Sequence, residues 1–575
     1  MIGMTRRARR PPKAERPFGR SQARSAAPRM KGDRRMKTWM SGRGWLACLA
    51  MGAVAAGLVA LDLERSVTAQ GPKTLVIAIG ADQTGLDPQT VENNESGFIM
   101  ATMYDSIVNY RPGTSEVGPG LAESWTVSPD GKVYTFKLRR GVKFHDGTPM
   151  NARTVAEDVD RAINPNNPCY VFNRKVDTYD DFTYGSVKGG NVVKMDVVDD
   201  STLRFTLPKP NAPFLSSIAM VWQGIVSPAA TKKYNCDASQ HPVGTGPFKF
   251  VEAVRNDHVT VEANADYWGG KPKVDRIIFR IIPESATRML ALERNEVQIL
   301  ADVPPADYER VEKNSALKLY RQPGLTILGV SMSNDLGPFK DKRVRQAMNY
   351  AVDKEAINKG LYGGATTASQ GMPPVLWGYS KDTRPYPYDV NKAKDLLKEA
   401  GYANGFSTEM MVYANPRGYN PIGGAKLGEA VQGYLAKVGV NVKISQYEWG
   451  AYLQKVRTLT WEGMAISGWS GDNGDPDNFL GDLFEWDTAN NKARTNNAAR
   501  NHNPEFDKLL QQARETSDPA KRAQLYEKAN QILHDDAPWI FMNHTTQVRA
   551  ARAGVKGFQL NPLQMFFNME QVSLE

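Results

Sequence analysis

The sequence predicts an α/β protein built from more than one domain. Three observations point there. Beyond residue 69 about 505 residues remain, too many for a single core, so two or three domains are expected. Between about residues 325 and 540, apolar residues recur at helical spacing in some segments and alternate with polar ones in others, the order of an α/β unit. Finally, the apolar run Met464-Ala465-Ile466 reads as a buried strand end. It leads into Gly468-Trp469-Ser470-Gly471-Asp472-Asn473-Gly474-Asp475-Pro476-Asp477-Asn478. Glycines, a Trp and carboxylates crowd the point where that strand should stop, and strand ends are where open α/β folds hold ligands.

The chain begins with a leader. Residues 1–69 carry fifteen of the 72 Lys/Arg and four of the 62 Asp/Glu, leaving 57 basic against 58 acidic residues. The net charge of +10 therefore comes from the leader. It is no argument for a nucleic-acid partner, which would need basic residues clustered on the folded part. After Arg43 an uncharged run extends from Gly44 to Leu61, and small residues follow at Val67-Thr68-Ala69. This is the layout of a secretory signal cleaved after Ala69; an uncleaved membrane anchor is the alternative. Export sets an oxidising compartment. Beyond the leader only Cys169 and Cys236 remain, able to form one disulfide or to stay as two buried thiols. Their spacing is neither a redox motif nor a zinc cluster.

The elements follow in order. Thr74–Ile79, Tyr134–Leu138 and Thr202–Leu207 alternate as strands, bounded by turn residues such as Pro129-Asp130-Gly131. Val344, Met348, Ala351 and Val352 share a helix face. Asp389 can cap a helix carrying Ala393, Leu396, Leu397 and Ala400, stopped by Gly401. Leu427, Val431, Tyr434, Leu435 and Val438 form a stripe ended by Gly439, and Val440, Val442 and Ile444 then alternate as a strand. Asp518-Pro519 starts a last helix, with Pro538 just beyond its end.

Enzyme signatures are missing. The six histidines form no HExxH pair, and Gly468-Trp469-Ser470-Gly471 lacks the last glycine of a nucleophile elbow. Val243-Gly244-Thr245-Gly246-Pro247-Phe248 has phosphate-loop composition but runs into Lys249-Phe250-Val251, a strand. Asp472 to Asp477 fails the order of a calcium loop. His145-Asp146 reads as a structural turn. No metal site and no cofactor are expected.

Four blocks, taken together and in order, resemble the family 5 extracellular solute-binding proteins of ABC importers. They are Tyr134 to Gly147, Pro242 to Phe248, Asp266 to Pro272 and Phe339 to Ala347. The resemblance implies a fold like the type II periplasmic binding proteins, with two α/β lobes on a hinge and an extra inserted domain. Domain I would combine 70–104, 240–324 and 544–575; domain II would be the insertion 105–239; domain III would be 325–543. Ligand would be enclosed between I and III by hinge closure.

The block from Gly471 to Asn478 resembles the dipeptide-binding branch of that family. The resemblance implies that Asp472 salt-bridges the peptide's amino terminus. It also implies that Arg417, in Arg417-Gly418-Tyr419-Asn420-Pro421, holds the carboxylate. The branch more often has Pro where this chain has Gly418. The chemistry is consistent: a zwitterion entering a closed cleft loses water from both charges, so each end needs an opposite partner. Arg presents a planar fork to a carboxylate. By backbone reach and contact distances the two groups should stand about 13 Å apart for a dipeptide. Main-chain groups of Gly468, Trp469, Ser470 and Gly471 can pair with the peptide backbone; the Trp469 ring lines the cleft or packs in the core. Asp475 and Asp477 are expected as caps or turn formers.

The expected protein is therefore a periplasmic receptor, monomeric and non-enzymatic. It hands dipeptides or short peptides to an ABC permease/ATPase complex of the inner membrane. Haem, glutathione or another small charged solute is the alternative cargo; a secreted hydrolase and a membrane-anchored receptor without transport are the competing classes.

Overall fold

The computed structural model describes residues 71–91, 93–171 and 192–575. The expected leader, with its apolar run and the expected cleavage after Ala69, lies outside the described residues. Among those described, no helix is long and apolar enough to cross a membrane.

Two large sheets organise the chain. A seven-stranded sheet has the order Leu317–Pro323, Thr546–Arg552, Ile299–Leu300, Thr74–Ile79, Arg276–Ile281, His258–Ala263, Phe248–Val254. Thr74–Ile79 sits at its centre, parallel to both neighbours, with four of six residues buried. A six-stranded sheet has the order Thr366–Thr367, Trp539–His544, Thr326–Met332, Met464–Ser470, Phe406–Tyr413, Val440–Tyr447. A separate antiparallel four-stranded sheet runs Ala122–Val127, Val133–Leu138, Thr202–Thr206, Lys194–Asp199.

Five strands matter most below: β1 (Leu317–Pro323), β2 (Thr326–Met332), β3 (Met464–Ser470), β4 (Trp539–His544) and β5 (Thr546–Arg552). β1 lies in the seven-stranded sheet and continues as β2 in the six-stranded one. β4 lies in the six-stranded sheet and continues as β5 in the seven-stranded one. The chain thus passes between the sheets at two adjacent points, 324–325 and 545. They are stitched together: Thr326 Oγ1 and Thr545 Oγ1 are 2.7 Å apart. The Thr545 N–H donates to Thr326 Oγ1 at 2.9 Å, and the Gly324 N–H to Thr545 O at 3.2 Å.

Helices of the six-stranded lobe form where capping and periodicity agree. Asp341 accepts from the Arg343 N–H at 2.8 Å and opens Lys342–Ala351; Val352, expected on that helix, lies one residue past its end yet stays buried. Asp389 accepts from the Lys392 N–H at 2.9 Å and opens Val390–Glu399. Gly424–Ala436 ends before Val438, and Gly439 at φ +83° turns the chain into Val440–Tyr447. Asp518 caps Pro519–Asp536.

β3 runs farther than the apolar run implies. Its antiparallel pairing with β2 continues to Thr326↔Ser470, while its other neighbour, Phe406–Tyr413, pairs only at Met464 and Ala465. The pattern loses its apolar character at Gly468 because the strand there has one strand neighbour instead of two.

Cys169 and Cys236 are joined, with Cα atoms 5.3 Å apart, although they stand 67 positions apart in sequence. His145 forms part of a turn: its Nε2 lies 3.0 Å from Gly246 O, and Asp146 accepts from Thr148 N–H and Ser227 Oγ.

Candidate functional site

A cleft of about 950 Å³ opens between the two large sheets. From the six-stranded side it is lined by Arg417, Tyr419, Trp449, Trp469, Ser470 and Asp472; the other side includes Arg288, Asp302, Gln547 and Arg549. Four of the six residues singled out in sequence thus meet in one place. Gly468 and Gly471 do not line this cleft. A Cβ on Gly468 would run into the Tyr419 ring and lie 2.7 Å from Ile327 O. A Cβ on Gly471 would meet the Phe479 ring at 2.7 Å. Gly471 instead borders a narrow recess of about 20 Å³ beside Asn94, Tyr110, Ser470 and Asp472. Both glycines permit close packing under the site.

Backbone polarity along β3 is alternate. The Gly471 N–H donates to Leu325 O at 2.6 Å and Ala465 O accepts from Ser331 Oγ, so odd-numbered positions face β2. Ile466 O accepts from Tyr452 Oη at 2.5 Å on the opposite edge. Alternation places the N–H and C=O of Gly468 and Ser470 on that same outer edge. Beyond Ala465, no described strand pairs with it.

Asp472 lies two residues past the end of the strand, and the Asn478 side chain holds it. Its N–H donates to Asn478 Oδ1 at 2.9 Å, and its Oδ2 accepts from Asn478 Nδ2 at 3.0 Å. The same Oδ1 accepts from Trp469 Nε1 at 3.2 Å, so Asn478 orients both cleft residues. Asn478 Nδ2 also lies 3.2 Å from Asp482 Oδ2. Burial pushes the Asp482 carboxyl well above the usual carboxylate range, and the charges of Asp477 and Asp472 push the same way.

Asp475 and Asp477 turn away from the cleft. Asp475 is 1% exposed, accepts from the Asp477 N–H at 3.0 Å as a turn former should, and pairs with Arg522 at 2.9 Å. Asp477 pairs with Arg514 at 2.8 Å. The arginine partners come from the helices Pro504–Glu515 and Pro519–Asp536 and give no local signal in the sequence.

Arg417 sits on a tight turn. Its N–H donates to Asn420 O at 2.9 Å and the Asn420 N–H returns to Arg417 O at 2.8 Å. Asn420, fully buried, anchors the turn through Tyr413 Oη and Tyr362 Oη, each at 2.9 Å. The Arg417 guanidinium carbon lies 3.8 Å from the Trp449 ring centroid, close enough for a cation–π contact. Burial draws its pKa below the ordinary arginine value, while Tyr419, Tyr413 and Glu95 act in the opposite direction. Among the described residues its Nε is buried without a partner. Asn478 and Asn420 stood in the quoted blocks without an assigned role and Trp449 was not singled out, because an asparagine's hydrogen-bond partners and a lone Trp's position carry no local signature.

The arrangement offers an acidic group and a guanidinium in one crevice, beside an open strand edge. The model of the bacterial extracellular solute-binding proteins, family 5 middle region, matches residues 116–491. A dipeptide-binding protein of Escherichia coli K12 is 37% identical over 548 residues, covering 90% of this chain and 97% of that one. Heme-binding protein A of Haemophilus influenzae is 35% identical, over 90% of this chain and 97% of its own length. The solved periplasmic binding protein DppA of Helicobacter pylori, associated with an ABC transporter and complexed with the peptide STSA, superposes with a TM-score of 0.73. It is 34% identical and covers 89% of this chain and 100% of that one.

Proposed function

We propose that this chain, which belongs to the family 5 bacterial extracellular solute-binding proteins, captures dipeptides or short peptides in the interlobe cleft and delivers them to a membrane ABC permease. It is a receptor, not an enzyme. Asp472 takes the ligand ammonium and Arg417 the carboxylate. The outer edge of β3 at Gly468 and Ser470 pairs with the peptide main chain, which gives affinity indifferent to side chains. The observation that carries this reading is the meeting of Asp472 and Arg417 in one cleft that also contains the Trp469–Ser470 strand end.

Closure would bend the two strand passages at 324–325 and 545. Only two short segments then change conformation while each sheet moves as a body. Closing removes water from both ligand charges, so the ionic contacts gain strength as the cleft shuts. The three-lobed division at 70–104 with 240–324 and 544–575, 105–239, and 325–543 is the proposed frame. The leader would direct the chain to the periplasm and be cut after Ala69, leaving a monomer.

Calorimetry on ligand-stripped protein tests the assignment. Free dipeptides should bind, and N-acetylated and C-amidated forms should bind at least about tenfold more weakly. Equal binding of blocked and free peptides would overturn it. A second reading keeps the receptor and changes its cargo: one relative is named for haem, and the cleft has room for a larger solute. Mass spectrometry of whatever co-purifies with the protein decides between them.

A further inference from the structure

The wall facing Asp472 and Arg417 carries polar groups that the dipeptide reading leaves unused. Gln547 and Arg549 are two residues apart on β5, so the pleat sends both side chains to one face, and both line the cleft. Arg549 is 1% exposed. Its Nε donates to Ala301 O at 3.2 Å and its Nη2 to Gln564 O. The guanidinium carbon lies 4.0 Å from the Phe566 ring centroid and 5.3 Å from that of Phe98.

Among the described residues, three polar atoms on this face lack partners: Arg549 Nη1, Gln547 Oε1 and Gln547 Nε2. Among the described residues no carboxylate stands within ion-pairing distance of Arg549. The one that influences it, Asp302, is bound by Arg288 at 2.6 Å. Burial draws the Arg549 guanidinium down to about 9, with only Asp302 opposing. A buried cation without a counter-charge and a buried amide atom without a partner both work against folding. A purely structural tie between Ala301 and Gln564 accounts for Nε and Nη2. It leaves Nη1 and both ends of Gln547 without a purpose.

The geometry points to a second anion subsite, in which Arg549 and Gln547 receive a carboxylate from the Asp or Glu side chain of a short peptide. This deepens the reading above and rests on it: the terminal charges go to Asp472 and Arg417, and the acidic side chain goes to the opposite wall. Nη1 and Nε2 supply one donor to each carboxylate oxygen, and the guanidinium supplies the missing counter-charge. A Gln side chain can accept a hydrogen bond there but cannot neutralise the cation. The preferred cargo is therefore an acidic dipeptide.

Calorimetry on ligand-stripped full-length mature protein with Ala-Ala, Ala-Glu, Ala-Gln, Glu-Ala and Gln-Ala tests this. One of the two glutamate peptides should bind about tenfold or more tighter than its glutamine isostere. Gln547→Leu should shrink that ratio, and Arg549→Met should erase it. Should Arg549→Met fail to fold, the wild-type ratio and Gln547→Leu decide. If Ala-Ala binds while both glutamate peptides match their isosteres, the subsite is overturned and the dipeptide reading stands. A preference that survives in both variants also overturns it. If no dipeptide binds, both readings fall together.

Discussion

Replacing Asp472 by Asn removes the charge while keeping the shape of the side chain. Asp472 is half-buried in the cleft wall and fixed at both its N–H and its Oδ2 by Asn478. Removing one partner of a buried charge pair costs 2–5 kcal/mol or more. A half-buried site retains some water around the ligand ammonium, so the lower end applies: about 2–3 kcal/mol, or roughly a 30- to 150-fold loss of affinity. Fold stability should change by less than about 1 kcal/mol. The backbone bond to Asn478 Oδ1 survives, and Asn478 Nδ2 keeps Asp482 as an acceptor. The assay is calorimetry with Ala-Ala and N-acetyl-Ala-Ala on wild type and variant, run as a double-mutant cycle. The acetylated peptide should already be weak and lose almost nothing further on substitution. Equal losses for free and acetylated peptides would refute the pairing of Asp472 with an ammonium.

Three further outcomes are expected. His544 is buried, with Nδ1 2.8 Å from Thr326 O and Nε2 without a partner. Burial lowers its pKa from 6.5 to about 4. Between those values the unfolded chain binds the extra proton, so this contribution is complete above about pH 6.5 and is lost as pH falls towards 4, roughly 3 kcal/mol in all. Chemical denaturation of wild type and His544→Asn across that range should show a flatter acid limb in the variant; parallel limbs would sink the assignment. Serine at both Cys169 and Cys236 should lower stability by about 2–4 kcal/mol, because a closure spanning 67 positions is released. Peptide affinity should be unchanged, since among the described residues no cleft-lining residue lies between them; denaturant titration and calorimetry together check this. Gly468→Ala drives a methyl into Tyr419 and towards Ile327 O. It should destabilise by about 1–3 kcal/mol, and an unchanged melting temperature would count against that packing.

Local chemistry alone determined much of this protein. Alternation marked Thr74–Ile79 as a strand, Asp389 and Asp518 marked helix starts, and Gly439 marked the turn into a strand, because each of these signals lies within a few residues of its effect. The resemblance of two short blocks to the dipeptide-binding branch implied ligand roles for Asp472 and Arg417, and the two residues do share a cleft. What the sequence could not show is which neighbours distant segments supply. Asp475 and Asp477 looked like loop formers, yet their charges are met by Arg522 and Arg514 from helices dozens of residues away. Gly468 and Gly471 were expected to offer main-chain groups to a ligand; that Tyr419 and Phe479 fill the space a side chain would take there was not legible. The two passages between sheets, and the unpartnered atoms of Gln547 and Arg549 on the far wall, arise only when β1, β2, β4 and β5 are paired. Long-range pairing leaves no local pattern, since the partner of a buried charge or a strand edge is chosen by the fold, not by the residues next to it in the chain.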